Sequence, residues 1–200
     1  MSRRYHMAAR ADAAAETRRR IVETAMAVQA EQGAAASWEA IARGAGVSTA
    51  TVYRHFRSLD ELVPACMERI WTREQLDPTP REARRIFDGL ESRGDRFERL
   101  IRASCHCYAK APGWLAVARA ERDGHPALQE AIARQQGAVR RLVDAALDGA
   151  PVGTQLKRTL RALVDVPFWQ SLVDTGMPSG AATDVVVRLV RAELSSGGIA

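Results

Sequence analysis

This sequence has few cysteines and no long apolar run, and each of these features argues against a class of protein. The 200 residues include three cysteines, Cys66, Cys105 and Cys107, an odd number without the spacing of a disulfide framework. No apolar run approaches the roughly 20 residues of a membrane-spanning helix. The first residues also lack the hydrophobic core of a signal peptide. We therefore expect a cytoplasmic protein with reduced thiols and no membrane partner.

Short enzyme motifs are absent as well. The sequence has no HExxH, no glycine-rich phosphate loop and no Ser/His/Asp grouping. We predict no enzymatic activity, no catalytic residue and no cofactor.

The Cys105-His106-Cys107 run could suggest a metal or redox site. Residues two apart on a helix point about 200° apart, so these two thiolates cannot face one ion. We predict no metal site. Two alternatives remain open: a thiol- or metal-sensing regulator and, least favoured, a small helical enzyme that uses Cys105.

The positive charge is concentrated near the N-terminus. The whole chain carries a formal net charge of +5, and residues 1–57 hold nine arginines against five acidic residues. This distribution is compatible with a nucleic-acid partner for the N-terminal part of the chain.

A hydrophobic period near 3.6 runs through almost every segment and predicts an all-α protein of about nine helices. We expect a disordered arm over 1–11, a three-helix domain over 12–57, a connecting helix over 58–76 and a larger helical domain over 77–200. Glycine and proline clusters place the later helices at about 95–111, 113–122, 125–148, 153–176 and 180–196. Asp95 and Glu98 are predicted to form a capping box at the first of these.

The segment 37–62, SWEAIARGAGVSTATVYRHFRSLDEL, is typical of a helix-turn-helix. Ser37 and Ser48 can cap two short helices, and Gly46 can adopt the positive φ of the turn between them. Val52 and Phe56 are expected to point inward. The opposite face of the second helix then presents polar and aromatic groups and no carboxylate.

Together with ETRRRIVETAMAVQAEQG before it, this segment resembles the N-terminal domain of the TetR (tetracycline-repressor) family of bacterial transcription regulators. The resemblance covers roughly residues 16 to 68 and rests on the order IA..AGVS....Y.HF. It implies a homodimer that binds a palindromic operator in double-stranded DNA. It further implies that the protein is a repressor, and that a small, largely apolar organic effector releases it from the operator.

The resemblance also implies which residues contact DNA: Ser48, Thr49, Ala50, Thr51, Tyr53, Arg54, His55, Arg57 and Arg18. Two positions depart from the family pattern. Leu59 stands where the family usually has a lysine that binds phosphate, and Gln29 stands where an aromatic residue is common. One charge contact per subunit is therefore missing at Leu59, so we expect either that Arg57 replaces it or that binding is weaker and less dependent on salt.

In the C-terminal domain the resemblance implies an effector pocket and a dimer interface on the last two helices. Aromatic residues with a few polar neighbours make up the candidate pocket: Trp71, Ile101, Ser104, Cys105, Tyr108, Trp114, Phe168 and Trp169. Apolar stripes on the last two helices make up the candidate interface: Leu160, Phe168, Leu172, Val185, Val186 and Leu189.

Overall fold

A computed structural model describes residues 3–32, 36–74, 78–110, 119–120, 122–123 and 125–199. Over these residues the chain is all-helical and contains no strand, which confirms the predicted fold class. The helices are α1 (Arg3–Gln32), α2 (Trp38–Gly44), α3 (Thr49–His55), α4 (Leu59–Glu74), α5 (Pro80–Arg85), α6 (Arg93–Lys110), α7 (Pro126–Leu147), α8 (Thr154–Val164), α9 (Val166–Asp174) and α10 (Ser179–Ser196). No described helix is long and apolar enough to cross a membrane.

The first helix is longer than the sequence predicted. It begins at Arg3, so the expected disordered arm over 1–11 is wrong from Arg3 onward. Residues 8–15 are rich in alanine, the residue with the highest helix propensity, so the periodic segment after Asp12 continues backwards without a break. The predicted helix over 113–122 falls almost entirely outside the described residues.

A short helix, α5, occupies the connection that we expected to be loose. The side chain of Thr79 accepts a hydrogen bond from the Glu82 backbone N–H, and Glu82 accepts one from the Thr79 backbone N–H. Pro80 follows at the first helical position, where its missing N–H costs nothing. These capping signals were present in the sequence and were overlooked.

The capping box predicted at Asp95 and Glu98 is wrong. The Ser92 hydroxyl accepts a hydrogen bond from the Asp95 backbone N–H at 3.0 Å, and α6 already begins at Arg93. Asp95 and Glu98 instead accept hydrogen bonds from Arg191 at 3.0 and 2.8 Å. Their carboxylates therefore tie α6 to α10.

The single helix predicted over 153–176 is two helices, α8 and α9. Pro167 has no N–H to donate to the preceding turn, so a continuous helix would lose a hydrogen bond there. Asp165 ends α8 and caps α9, since its carboxylate accepts from the Val166 backbone N–H at 2.8 Å.

Two apolar cores lie along the chain. The N-terminal core joins α1 to α4 around Ile21, Val52 and Phe56, each 0% exposed. The larger C-terminal core joins α6 to α10 around Phe97, Val143 and Leu160, also 0% exposed.

Helix α7 contributes to both cores. Near its N-terminus Leu128 and Ala131 are buried among the residues of the N-terminal core. Nearer its C-terminus Val139, Val143 and Leu147 are buried in the other core. The N-terminal core therefore depends on a helix that we had assigned wholly to the C-terminal domain.

We expect Leu128→Ala to destabilise the N-terminal core. Leu128 is 3% exposed, so its truncation leaves a cavity and should lower the free energy of unfolding by about 2–5 kcal/mol. Glu130→Ala, at an exposed position of the same helix, is the matched control and should change it by less than about 0.5 kcal/mol. Urea denaturation measures both. An equal effect of the two substitutions would show that Leu128 contributes nothing to the core.

Candidate nucleic-acid interface

Side-chain caps fix the ends of the two short helices in the N-terminal domain. Ser37 accepts a hydrogen bond from the Ala40 backbone N–H at 3.1 Å and starts α2. Ser48 accepts one from the Thr51 backbone N–H at 3.2 Å and starts α3. Gly46 lies between the helices with φ of +64°, a conformation that disfavours any residue with a Cβ. The structure thus has the helix-turn-helix that the sequence predicted.

Helices α1 and α2 approach closely at Gly44. A Cβ at this position would lie 2.6 Å from the Thr24 methyl carbon, closer than packed carbon atoms tolerate. Ala42 of α2 is also buried. The requirement for glycine at position 44 was not predicted from the sequence, because it arises from Thr24 of another helix.

Helix α3 buries Val52 and directs its other side outward. Ala50 and Arg54 are exposed, Tyr53 is 45% exposed, and Thr49 and Thr51 are half-buried. The Thr51 and Ser48 hydroxyls lie 2.9 Å apart and share a hydrogen bond, so Thr51 also supports the cap. The exposed side carries no acidic residue, which leaves it free of repulsion toward phosphate.

Trp38 of α2 packs against Tyr53 on the exposed side of α3. Its ring centroid lies 5.2 Å from that of Tyr53, with the planes inclined at 32°. Trp38 is half-buried against the core, so it links the core to an exposed aromatic side chain. The contact between Trp38 and Tyr53 was not predicted from the sequence.

The three consecutive arginines of α1 have different surroundings. The Arg18 guanidinium lies 4.2 Å from the centroid of the Phe56 ring, at the end of α3. Arg19 is bound to Glu16 and Glu23 on its own helix, and Arg20 is exposed. Arg18 is therefore the one of the three that a contact holds against the helix-turn-helix.

His55, Arg57 and Leu59 follow one another at the junction of α3 and α4. Partial burial, together with the positive charges of Arg54 and Arg18, lowers the pKa of the His55 imidazole, which favours its neutral form at pH 7. The Arg57 backbone N–H donates to the Glu61 carboxylate at 2.8 Å, and the Arg57 side chain is exposed. Leu59 packs against the N-terminal core, which gives it a structural role at the position of the absent lysine.

Most of the predicted pocket residues that the structure describes come together, but as tightly packed core. Ile101, Cys105, Tyr108 and Trp169 are buried, and the Tyr108 and Trp169 ring centroids lie 6.1 Å apart. The Tyr108 hydroxyl donates to the Val164 carbonyl at 3.3 Å, and the Trp169 indole N–H donates to the Thr183 hydroxyl at 3.2 Å.

Two other members of the predicted pocket lie at the edge of that packed group. Ser104 and Phe168 are half-buried, and Phe168 packs against the core. Trp114 lies outside the described residues, as does the side chain of Trp71. The polar tips that suggested a pocket are therefore, where described, satisfied within the domain.

Two of the three cysteines are buried thiols. Desolvation raises the pKa of Cys66 to about 12 and that of Cys105 to about 11. Among the described residues no group of three or more potential metal ligands comes together. Both thiols are thus protonated and weakly nucleophilic at neutral pH.

Part of the predicted dimer interface is wrong. Leu160 is 0% exposed and Val186 is 1% exposed, because both pack inside their own subunit and have no surface left for a partner. Leu189 is 40% exposed, while Phe168, Leu172 and Val185 are half-buried. The apolar stripes were read correctly, but their inner and outer members could not be separated from spacing alone.

The capped helix pair and the acid-free exposed side of α3 place the N-terminal part in the class of helix-turn-helix domains. The family model described as bacterial regulatory proteins of the tetR family matches residues 21–66. Residues 21–66 therefore match the TetR family, as the sequence resemblance indicated.

Solved structures extend the likeness over most of the chain. A transcriptional regulator from Rhodococcus sp. Rha1 has a TM-score of 0.66 and 20% identity, covering 92% of this chain and 98% of its own. A TetR-family member from Streptomyces coelicolor A3 has a TM-score of 0.60 and 22% identity, covering 87% and 98%. The multidrug binding protein EbrR, complexed with imidazole, has a TM-score of 0.59 and 22% identity, and the match covers 87% of this chain and 89% of the EbrR chain.

At these identities the likeness establishes a shared fold. None of the curated proteins matches the sequence significantly. The chain thus has the fold of TetR-family regulators on both sides of the connecting helix α4.

We expect Cys66 and Cys105 to resist alkylation in the folded protein. With a pKa of about 11, roughly one Cys105 thiol in a thousand is ionised at pH 8, and Cys66 still fewer. Labelling with iodoacetamide followed by peptide mass spectrometry should show slow modification of both in buffer and rapid modification in urea. If Cys105 reacts equally fast in the folded and unfolded protein, its thiol is not buried as described and a thiol-sensing role regains support.

Proposed function

We propose that this protein is a ligand-responsive transcriptional repressor that binds a palindromic operator as a homodimer. The observation that carries the proposal is the exposed, acid-free side of α3, held in place by the Ser48 cap and the Gly46 turn. It lies within the segment that matches the TetR family. The protein would act in the cytoplasm, where the operator DNA lies.

In this proposal the front of α3 enters the major groove. Ala50 can pack on a thymine methyl, Thr49 can offer its hydroxyl to a base edge, and Arg54 can reach a guanine or a phosphate. Tyr53 is held by Trp38 and can contact the backbone without a large loss of freedom. Ser48 and Thr51 keep the N-terminus of the helix rigid at the DNA surface.

Phosphate contacts would come from the flanks of α3. Arg18 is held next to Phe56, and Arg57 is exposed beyond the helix end. Neutral His55 can donate one hydrogen bond to phosphate without carrying charge. Leu59 cannot replace the usual lysine, so the dependence of affinity on salt should be shallower by about 0.9 per subunit in log–log slope.

Dimerisation would use the outer sides of α9 and α10. Leu189, Val185, Phe168 and Leu172 keep apolar surface exposed after the subunit has folded. Two such sides related by a two-fold axis would form a four-helix bundle. This arrangement would set two copies of α3 at the spacing of successive major grooves, about 34–36 Å.

Effector binding would act on DNA through α7 and α4. Arg134 of α7 donates to Glu68 of α4 at 3.0 Å, and His125 lies 3.7 Å from Asp60 near the start of α4. Leu128 belongs to the same core as Val52 of α3. A displacement of α7 would therefore move the base of the recognition helix.

The effector itself would be a small organic molecule, largely apolar in character. This part of the proposal is supported by EbrR, whose structures contain imidazole or proflavin. Because Tyr108 and Trp169 are packed together, the ligand would have to separate side chains around them to enter.

DNA binding is tested by fluorescence anisotropy with labelled duplexes from the promoter region next to the gene. Arg54→Ala should raise the Kd by roughly ten- to a hundredfold, the effect of losing about 1–3 kcal/mol of base or phosphate contact. Arg99→Ala removes an equally exposed arginine from α6 and is the matched control. A wild-type protein that binds no promoter duplex above the level of unrelated DNA would refute the proposed function.

We expect Leu189→Asp to dissociate the dimer. Leu189 is 40% exposed, and a carboxylate in an apolar bundle would have no partner and would remain desolvated. Light scattering after gel filtration should give twice the chain mass of 21.9 kDa for the wild type and the single mass for the variant. Ala133→Asp, at an exposed position of α7, should stay dimeric. Retention of the dimer by Leu189→Asp would place the interface elsewhere.

A further inference from the structure

A groove of about 270 Å³ lies between α7 and α8, away from the packed aromatic residues of the candidate effector pocket. Arg140 lines it from α7, and Arg158 and Arg161 line it from α8. Val139 and Ala162 contribute apolar surface between these arginines. The groove thus combines a small apolar wall with guanidinium groups from two helices.

Two of these arginines have no ion-pair partner in the part of the chain that the structure describes. Arg140 and Arg158 are exposed, and over the described residues neither takes part in an ion pair. Arg161 differs, since its guanidinium donates to both carboxylate oxygens of Asp144 at 3.0 Å. That pairing holds Arg161 in place at the groove while the charges of the other two remain uncompensated.

The one acidic residue that lines the groove is already engaged. Asp165 accepts hydrogen bonds from Arg119 at 3.1 Å, from Gln135 at 3.0 Å and from the Val166 backbone N–H at 2.8 Å. All three bonds are to the same oxygen, Oδ1. Arg119 offsets the charge of Asp165, so the groove as a whole remains positive and attracts an anion.

We propose that this groove binds a small organic oxyanion, a carboxylate or a phosphate group on a short apolar body. Guanidinium groups form two parallel hydrogen bonds to either group, and arginines on opposite walls can hold it from both sides. The volume is at the lower limit of pockets for drug-sized ligands, which restricts the body of the ligand to about one small ring. Val139 and Ala162 provide the surface on which that body packs.

This site is distinct from the largely apolar effector pocket of the proposed function and does not depend on DNA binding. It also lies where binding could be transmitted, since α7 continues from the groove to Leu128 in the N-terminal core. The Arg140 and Arg158 side chains extend into solvent, so their replacement should leave the fold intact.

Isothermal titration calorimetry of the full chain tests the proposal, with inorganic phosphate and benzoate as probes and benzamide as the uncharged analogue of benzoate. Ionic strength is held constant with NaCl. We expect one site per chain for at least one of the two anions and no comparable binding of benzamide. In Arg140→Gln/Arg158→Gln the affinity should fall by about tenfold or more, the effect of losing charge-assisted hydrogen bonds. Arg99→Gln removes an exposed charge outside the groove and should bind like the wild type.

Binding of benzoate alone would identify the headgroup as a carboxylate, and binding of phosphate alone would identify it as a phosphate. The proposal is refuted if neither anion binds the wild type, if the double variant binds as tightly as the wild type, or if benzamide binds as tightly as benzoate. Circular dichroism should give the same melting temperature for both variants. Promoter affinity of the double variant, measured in parallel, should equal that of the wild type, which separates failure at this groove from failure of DNA binding.

Discussion

The burial of Leu128 and Ala131 in the N-terminal core is the contact on which the rest of the structure depends. Helices α1 to α3 share their core with α4 and with the N-terminal part of α7. The same α7 continues into the C-terminal core at Val139 and Val143. Packing interactions are short-ranged, so this shared helix is what allows the two cores to affect each other's geometry.

Polar contacts along the same junction restrict how the helices can move. Arg69 of α4 donates to Glu23 of α1 at 2.7 Å, and Arg134 of α7 donates to Glu68 of α4 at 3.0 Å. Such exposed pairs add little to stability, about 0–1 kcal/mol each. Their importance is geometric, because each fixes the rotation of one helix relative to the next. A shift of α7 would therefore break or lengthen the Arg134–Glu68 pair, whereas a general loosening of the fold would affect all such pairs alike.

Much of the N-terminal domain could be predicted from the sequence because its signals are local. Ser37, Gly46 and Ser48 act on residues within three or four positions of themselves, so spacing alone reveals their roles. Gly44 was missed because its constraint comes from Thr24, which is distant in sequence. The contact of Trp38 with Tyr53 was missed for the same reason.

The C-terminal domain was predicted less completely because the burial of its residues depends on contacts between helices that are distant in sequence. Periodicity identified the apolar stripe at Val185, Val186 and Leu189, but burial of Val186 depends on the neighbouring helices. Pro167 is a local signal for the helix break at Asp165. The Asp165 carboxylate, however, is also held by hydrogen bonds from Arg119 and Gln135, which are distant in sequence. A half-buried polar cluster whose members come from three parts of the chain cannot be recognised from any one of those parts.

The position of Arg18 over the Phe56 ring affects the entropy of recognition. A free arginine side chain loses about 2 kcal/mol of rotamer freedom when it is immobilised. Arg18 is already held by an aromatic face at 4.2 Å, so part of that freedom is lost during folding. If this side chain meets a DNA phosphate, more of the favourable free energy of the contact remains as affinity. Phe56, at the end of α3, thereby restricts the charged side chain of Arg18 on a different helix.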